Sequence, residues 1–301
     1  MHFLYKYLDM RHETEIVTPY IKRLLMSHIT GLSMTQLLAE RDFCLSEEQE
    51  KWYNDAIARL QNNEPLQHIL GYSEFYGRKF KSDRRALVPR PETEELVEWI
   101  IDSIHNSQPT VLSNSEKFSI HNSSETPPKN LSILDIGTGT GCIALSLAKE
   151  LPEAKVTALD ISTEALSLAR ENAEILEVNN VDFIEGDILK HSSFLTPHSS
   201  FHIIVSNPPY VRECEKAEME ANVLDYDPHT ALFVSNENPL IFYRAIGEFA
   251  LTHLKNGGTL YFEINQYLGQ ETCDMLVAMG YKNVELRKDI NDNPRMIKAT
   301  L

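Results

Sequence analysis

The segment Ile133-Leu134-Asp135-Ile136-Gly137-Thr138-Gly139-Thr140-Gly141-Cys142-Ile143-Ala144 constrains the fold more than any other part of the chain. An apolar run of strand length ends in an acid, a loop with glycine at every second position follows, and a helical run begins. Beyond it, strand-like and helix-like patterns keep alternating. Strands are predicted over Ser132–Ile136, Lys155–Asp160, Val181–Ile184, His202–Ser206 and Thr259–Ile264, with helices near Gly141–Glu150, Thr163–Glu174, Leu240–Leu254 and Gly269–Met279. Such alternation builds an α/β, doubly wound sheet with Rossmann-like connections. Two more strands, Asn283–Arg287 and Met296–Thr300, are separated by a short polar loop. A parallel crossover needs a dozen or more residues, so this last pair of a seven-stranded sheet is expected to be an antiparallel hairpin.

The rest of the chain reads differently. Residues 1–70 suggest a small helical bundle: Ile16, Tyr20, Leu24 and Leu25 recur at helical spacing up to a break at Gly31, Ser33 precedes a second helix, and Ser46 with Gln49 forms a capping box for a third. Residues 71–90, with Gly71, Gly77 and alternating aromatics, suggest a β-hairpin linker. Pro89-Arg90-Pro91 then opens a helical run into the domain expected over 91–301. Residues 105–130 are rich in Ser, Asn, Thr and Pro and read as a flexible surface loop.

A chain of 301 residues suits about two domains. No apolar run approaches the ~18 residues of a membrane span, and the first residues lack a secretory signal, so a cytoplasmic location with no membrane partner is expected. Cys44, Cys142, Cys214 and Cys273 are far apart with no CxxC pair, which argues against a zinc site or a disulfide framework; no metal is expected. Residues 1–90 hold 13 Lys and Arg against 12 Asp and Glu, residues 91–301 hold 15 against 32, and the net charge is −16. An acidic half lacks the basic footprint that phosphate binding requires, so no direct nucleic-acid partner is expected. It suits a basic protein partner, or it simply keeps the chain soluble.

Four motifs carry the chemistry. The loop Gly137-Thr138-Gly139-Thr140-Gly141 is spaced GxGxG rather than GxGxxG and has no Walker lysine, so pyrophosphate and triphosphate readings weaken. Asp135 before it would repel a phosphate and instead suits a ligand carrying an amine or a sulfonium. The plain alternative is a tight βα turn. Asp160 ends the next strand, where an acid accepts hydrogen bonds from ribose hydroxyls. Asp187, followed by Ile188, either accepts an adenine amino group, with Ile188 on the ring, or caps a turn. Asn207-Pro208-Pro209-Tyr210 follows the fourth strand. Its two prolines preset the backbone and remove two donors, leaving the Asn207 side-chain oxygen and the Pro208 carbonyl as acceptors beside an aromatic face. That set fits a planar NH₂ group.

These residues resemble the class I S-adenosylmethionine-dependent methyltransferases that act on planar amino groups. Outside the shared motifs, Pro65–Gly71, Val88-Pro89-Arg90-Pro91-Glu92-Thr93-Glu94, Tyr226-Asp227-Pro228 and Phe262-Glu263-Ile264 resemble the protein-(glutamine-N5) methyltransferases of peptide chain release factors. The resemblance implies S-adenosylmethionine as cofactor, held by Asp135, Gly137, Thr138, Gly139, Thr140, Gly141, Asp160, Asp187, Ile188 and Asn207. It implies methylation of the glutamine in the Gly-Gly-Gln loop of class I release factors, with Asn207, Pro208, Pro209 and Tyr210 as the catalytic and substrate-binding group and residues 1–70 recognising the substrate. Arg90 and Glu92, with Thr93, are either a lid near the substrate loop or a hinge with a helix start; Glu263 is a site wall or a strand end. The sequence has Asn265 where this family has glycine after Glu-Ile. The alternatives are a DNA adenine-N6 or rRNA guanine-N2 methyltransferase, which shares the Asn-Pro-Pro-aromatic motif, and a non-catalytic adaptor on the same fold.

Overall fold

The computed structural model describes residues 17–39, 44–106, 131–190 and 199–301. Its first part is helical. Helix α1 (Pro19–Thr30) opens where the Thr18 hydroxyl accepts from the Ile21 amide and stops at Gly31, whose φ of 71° is left-handed. Helix α2 (Met34–Ala39) follows Ser33, and α3 (Glu47–Gln61) starts with the Ser46–Gln49 capping box read from the sequence. Helix α4 (Leu66–Leu70) is a single turn that the sequence pattern did not separate. Leu25, Met26, Tyr53, Ala56 and Leu60 bury together between them. Strands β1 (Tyr72–Phe75) and β2 (Arg78–Lys81) then form a hairpin. Its two turn residues, Tyr76 and Gly77, both have positive φ, as a turn matching the strand twist requires. Phe75 and Phe80 meet edge to face at 5.9 Å and enter the core of the larger sheet.

Helix α5 (Pro91–Asn106) buries Leu96, Val97, Ile100 and Ile104. It takes in His105 and Asn106, the first two residues of the loop expected over 105–130; the remainder of that loop lies outside the described residues. The sheet comprises β3 (Ser132–Ile136), β4 (Lys155–Asp160), β5 (Val181–Glu185), β6 (Phe201–Ser206), β9 (Leu254–Glu263), β10 (Lys282–Lys288) and β11 (Pro294–Thr300), in the order β10-β11-β9-β6-β3-β4-β5. Strands β5, β4, β3, β6 and β9 are parallel, and β11 and β10 are antiparallel, as the short last loop predicted.

Both faces of the central strands are covered, so β3, β4, β6 and the second half of β9 are buried at almost every position, whereas the edge strand β10 is largely exposed. Ile133, Val156, Val205 and Tyr261 point to the side holding α5 and α6 (Cys142–Glu150). Leu134, Leu159, Ile204 and Phe262 point to the side holding α9 (Ile241–His253) and α10 (Gly269–Ala278). Helix α7 (Thr163–Ile175) packs on β4 and β5. Strand β9 begins at Leu254, before the predicted Thr259, because Gly257 and Gly258 interrupt the apolar pattern without ending the pairing. The pair β7 (Val211–Arg212) and β8 (Phe233–Val234), and α8 (Ala221–Tyr226) between them, are too short for a periodic signal. No described helix is long and apolar enough to cross a membrane.

Candidate active site

The sheet register assembles the site. Ile136 pairs with Leu159 on one side and Ser206 on the other, and Ser206 pairs with Phe262. The residues one step further, Asp160, Gly137, Asn207 and Glu263, therefore stand in one row at the carboxyl ends of β4, β3, β6 and β9. The chain leaves β3 toward β4 and β5, then returns to β6 on the other side of β3. That reversal opens a crevice between neighbouring strand ends, where ligands bind in open α/β sheets. The Ser206 hydroxyl donates to the Ile136 carbonyl at 2.6 Å and fastens the two strands just below the crevice.

One half of the row is the glycine loop. Gly137, Gly139 and Gly141 have φ of 74°, 56° and 83°, a region that side chains disfavour. The amides of Gly137 and Thr138 donate to the Leu159 carbonyl at 2.8 and 3.0 Å, and the Gly139 amide donates to Asp160 at 2.8 Å. Asp160 also accepts from the Ser162 amide, so it links the loop to the start of α7. Asp135 is fully buried beneath the loop. One of its oxygens accepts from the Thr138 hydroxyl at 2.6 Å and from the Ala144 amide at 3.2 Å, in the first turn of α6. Its other oxygen has no partner among the described residues. Burial pushes the Asp135 carboxyl up to about 7, against the pull of those two hydrogen bonds. Burial also raises Asp160.

The other half gathers segments far apart in the chain. Asn207 Nδ2 donates to the Thr93 hydroxyl at 3.3 Å. Thr93, in the first turn of α5, donates in turn to Glu263 Oε2 at 2.6 Å. Tyr210 donates to Glu263 Oε1 at 3.1 Å. Glu263 is only 1% exposed; burial raises its carboxyl, opposed by Thr93, Arg295 and Tyr210. Burial, with the Glu263 charge, raises the Tyr210 hydroxyl strongly. Asn265 donates from Nδ2 to the Tyr210 carbonyl at 3.0 Å and to Glu215 at 2.9 Å. A cavity of about 360 Å³ opens onto this half, its wall including Arg90, Asn207, Pro208, Tyr210 and Glu263. Arg90 pairs with the buried Asp227 at 3.2 Å.

The row and the cavity bring together most of the residues that the sequence singled out. Asp135, the loop 137–141 and Asp160 stand together; Asn207, Pro208, Tyr210 and Arg90 line the cavity, with Pro209 between them in the chain. Glu92 follows Pro91 into the first turn of α5, where its charge acts on Glu263. Asp187 follows β5, two residues beyond Glu185, which pairs with Asp160; it accepts from the Leu189 amide at 2.9 Å and pairs with Lys190 at 3.0 Å, capping the turn Ile188–Lys190, while Ile188 is buried in the core. Two residues have roles that the sequence does not show. Asn172 on α7 is fully buried and joins the Thr140 carbonyl to the backbone of Lys81 in the hairpin. Asn265 became visible only as a departure from a family pattern. Neither has a neighbour in sequence that predicts its partners.

The arrangement has the parts a methyl transfer needs. A glycine cradle lies over an acid, and an acceptor set faces a cavity beside it. A Cβ built on Gly137 would stand 4.0 Å from the Asn207 carbonyl, so the two parts adjoin. The buried, unpartnered Asp135 oxygen and the absence of side chains at 137 and 139 fit a cationic ligand with a ribose. The family model for a methyltransferase domain matches residues 127–297, more than half of the chain, and that for a PrmC N-terminal domain matches residues 20–71. The fold is that of a methyltransferase that uses S-adenosylmethionine. A release factor glutamine methyltransferase of Flavobacterium psychrophilum is 47% identical over 89% of this chain and 86% of its own, and one of Bacteroides thetaiotaomicron is 43% identical over 93% and 91%. The chain belongs to the release factor glutamine methyltransferase family. Among solved structures, a 16S rRNA N2 G1207 methyltransferase of T. thermophilus in complex with AdoMet and guanosine aligns with a TM-score of 0.50 and 16% identity, over 76% of this chain and 49% of that one. That likeness concerns the fold alone.

Proposed function

We propose that this chain methylates the side-chain amide nitrogen, N5, of the glutamine in the Gly-Gly-Gln loop of class I peptide chain release factors, in the cytoplasm. The observation that carries the reading is the cavity walled by Asn207, Pro208 and Tyr210 beside the glycine loop. S-adenosylmethionine, when bound, supplies an electrophilic methyl on a sulfonium. Asp135 and residues 137–141 would hold it, Asp160 would receive the ribose hydroxyls, Asp187 with Ile188 would receive the adenine, and Asn207 would stand toward its methionine end.

The acceptor half orients the amide. A glutamine NH₂ is planar and a poor nucleophile, because its lone pair is delocalised. Asn207 Oδ1 and the Pro208 carbonyl accept its two N–H bonds, and Tyr210 packs on its face. Holding the nitrogen in line at near-attack distance supplies much of the rate. The two acceptors also stabilise the positive charge that develops on nitrogen. The proton leaves afterwards to water. Arg90 and Glu92 border the entrance for the substrate loop. Residues 1–70 recognise the release factor, and the acidic residues 91–301 favour approach of a basic surface.

The test offers labelled methyl donor and enzyme three acceptors: a class I release factor, the same factor with the loop glutamine replaced, and nucleic acid. Label on the intact factor alone is the expected result. Label on nucleic acid alone would favour a nucleic-acid methyltransferase, and cofactor binding without transfer to any acceptor would favour an adaptor.

A further inference from the structure

Asn207 serves the substrate amide only if its own amide is turned the right way. A primary amide has an acceptor end and a donor end of nearly equal size, so shape does not decide between them. With Nδ2 toward the substrate, donor would face donor. Chemistry at the other end decides instead. Thr93 Oγ1 carries one proton, and that proton is given to Glu263 Oε2 at 2.6 Å. Toward Asn207, at 3.3 Å, the same oxygen can only accept. Nδ2 must therefore face Thr93, and Oδ1, which receives no bond from a described residue, is left for the substrate.

We propose that Glu263 and Thr93 are positioning residues that fix the polarity of the Asn207 amide, and that they do so only while Glu263 carries its charge. A protonated Glu263 would donate to Thr93, free the Thr93 proton for Asn207 Oδ1, and allow the amide to turn over. This inference rests on Asn207 being the acceptor for the substrate amide.

The surroundings of Glu263 make the switch a property of several elements. Tyr210 reaches it from the loop after β6, and Thr93 and Glu92 from the start of α5. Arg295, paired with Asp289 at 3.0 Å, acts from β11, and Cys142 lies within its field at the start of α6. Tyr243 on α9 donates to the Glu263 backbone carbonyl at 3.4 Å rather than to the carboxylate. Arg295 and the two hydroxyls favour the charged form, while burial and Glu92 oppose it. Burial prevails, so Glu263 gains its charge above the ordinary carboxylate range, and the rate should fall as pH drops through that raised value.

The experiment measures kcat against pH at saturating cofactor and saturating release factor, with cofactor Kd and Tm measured on the same proteins. Thr93→Val keeps the shape and removes the hydroxyl. Its plateau kcat should fall about tenfold, the size of one lost orienting hydrogen bond, and its acid limb should flatten. Thr93→Ser should recover most of the rate and the limb. Glu263→Gln, which cannot ionise, should lose the limb as well, at a reduced plateau. Cofactor Kd should stay within about twofold throughout, because a tenfold change already needs 1.4 kcal/mol.

Thr93→Val with the wild-type rate and limb, or Glu263→Gln with the limb intact, would overturn the proposal. So would a Thr93→Val loss that follows Kd and Tm, which would mark a merely structural threonine. Asn207→Ala separates this failure from the underlying reading: wild-type turnover there would remove the acceptor role itself, whereas a large loss there beside a normal Thr93→Val would remove only the polarity device.

Discussion

The two halves of the site are built in different ways. The core of the half proposed to hold the cofactor lies within about 30 residues of chain, Asp135 to Asp160, on two neighbouring strands and the loop between them, with Asp187 added from the end of the next strand. Its hydrogen bonds are short in sequence: Thr138 to Asp135, Ala144 to Asp135, Gly139 to Asp160. The acceptor half joins Thr93, Asn207–Tyr210 and Glu263–Asn265, each more than 50 residues from the next. Binding a common cofactor needs a fixed local cradle. Choosing an acceptor needs groups brought in from several elements, which is where different methyltransferases can diverge.

Separate effects on the two halves are the way to break that comparison. The largest is expected at Asp135. Asp135→Ala strands the Thr138 hydroxyl and the Ala144 amide in the core and removes the buried acid beneath the loop. Cofactor affinity should fall about 100-fold by calorimetry, and stability by about 2–3 kcal/mol in denaturant unfolding. The pH dependence of the intact site tests the same residue. Because the free carboxyl is pushed up to about 7, it is mostly protonated below that pH. Affinity for the cationic cofactor should rise as pH climbs toward 7 and level off above it, with proton release on binding at pH 6. The sign for stability is opposite: a raised carboxyl favours the folded state while protonated, so this group's contribution declines from about pH 4 to pH 7. An affinity independent of pH between 5 and 8 would detach Asp135 from the cofactor.

A smaller effect, about fivefold to tenfold in cofactor Kd, is expected for Asp187→Ala if the acid meets the adenine rather than only capping Ile188–Lys190. An unchanged Kd with a slightly lower Tm would leave only the cap. The smallest is expected at Asn265. Asn265→Gly frees the Tyr210 carbonyl from Glu215 and should lower kcat about threefold to tenfold with cofactor Kd unchanged. A change in Kd instead would mean that the halves are coupled through β9.

The same comparison explains what could be read from the sequence. The cofactor half was legible because its parts are contiguous: the acid, the alternating glycines and the next strand-end acid appear in order along the chain. Asn207–Tyr210 was legible as a run of four. The role of Thr93 was not, since a threonine at a helix start reads equally well as a cap or a hinge until Glu263 appears 2.6 Å away. Glu263 itself ends a strand, and only the pairing of Ser206 with Phe262 shows that it stands beside Asn207. Asn265 and Asn172 act mainly through backbone groups far off in the chain, which leave no trace in composition or period. The sheet was read nearly complete from apolar runs, whereas β7, β8 and α8 fell below the length at which a period can be detected.

The claim that cofactor binding and acceptor orientation are separable is tested most directly by Asn207→Ala, with single-turnover methyl transfer to a release factor and cofactor Kd measured on the same preparation. The rate is expected to fall about 100-fold or more, as for loss of one preorganised polar group at a reacting centre, with Kd within about threefold of wild type. An unchanged rate, or a loss of rate matched by a loss of cofactor affinity, would contradict it.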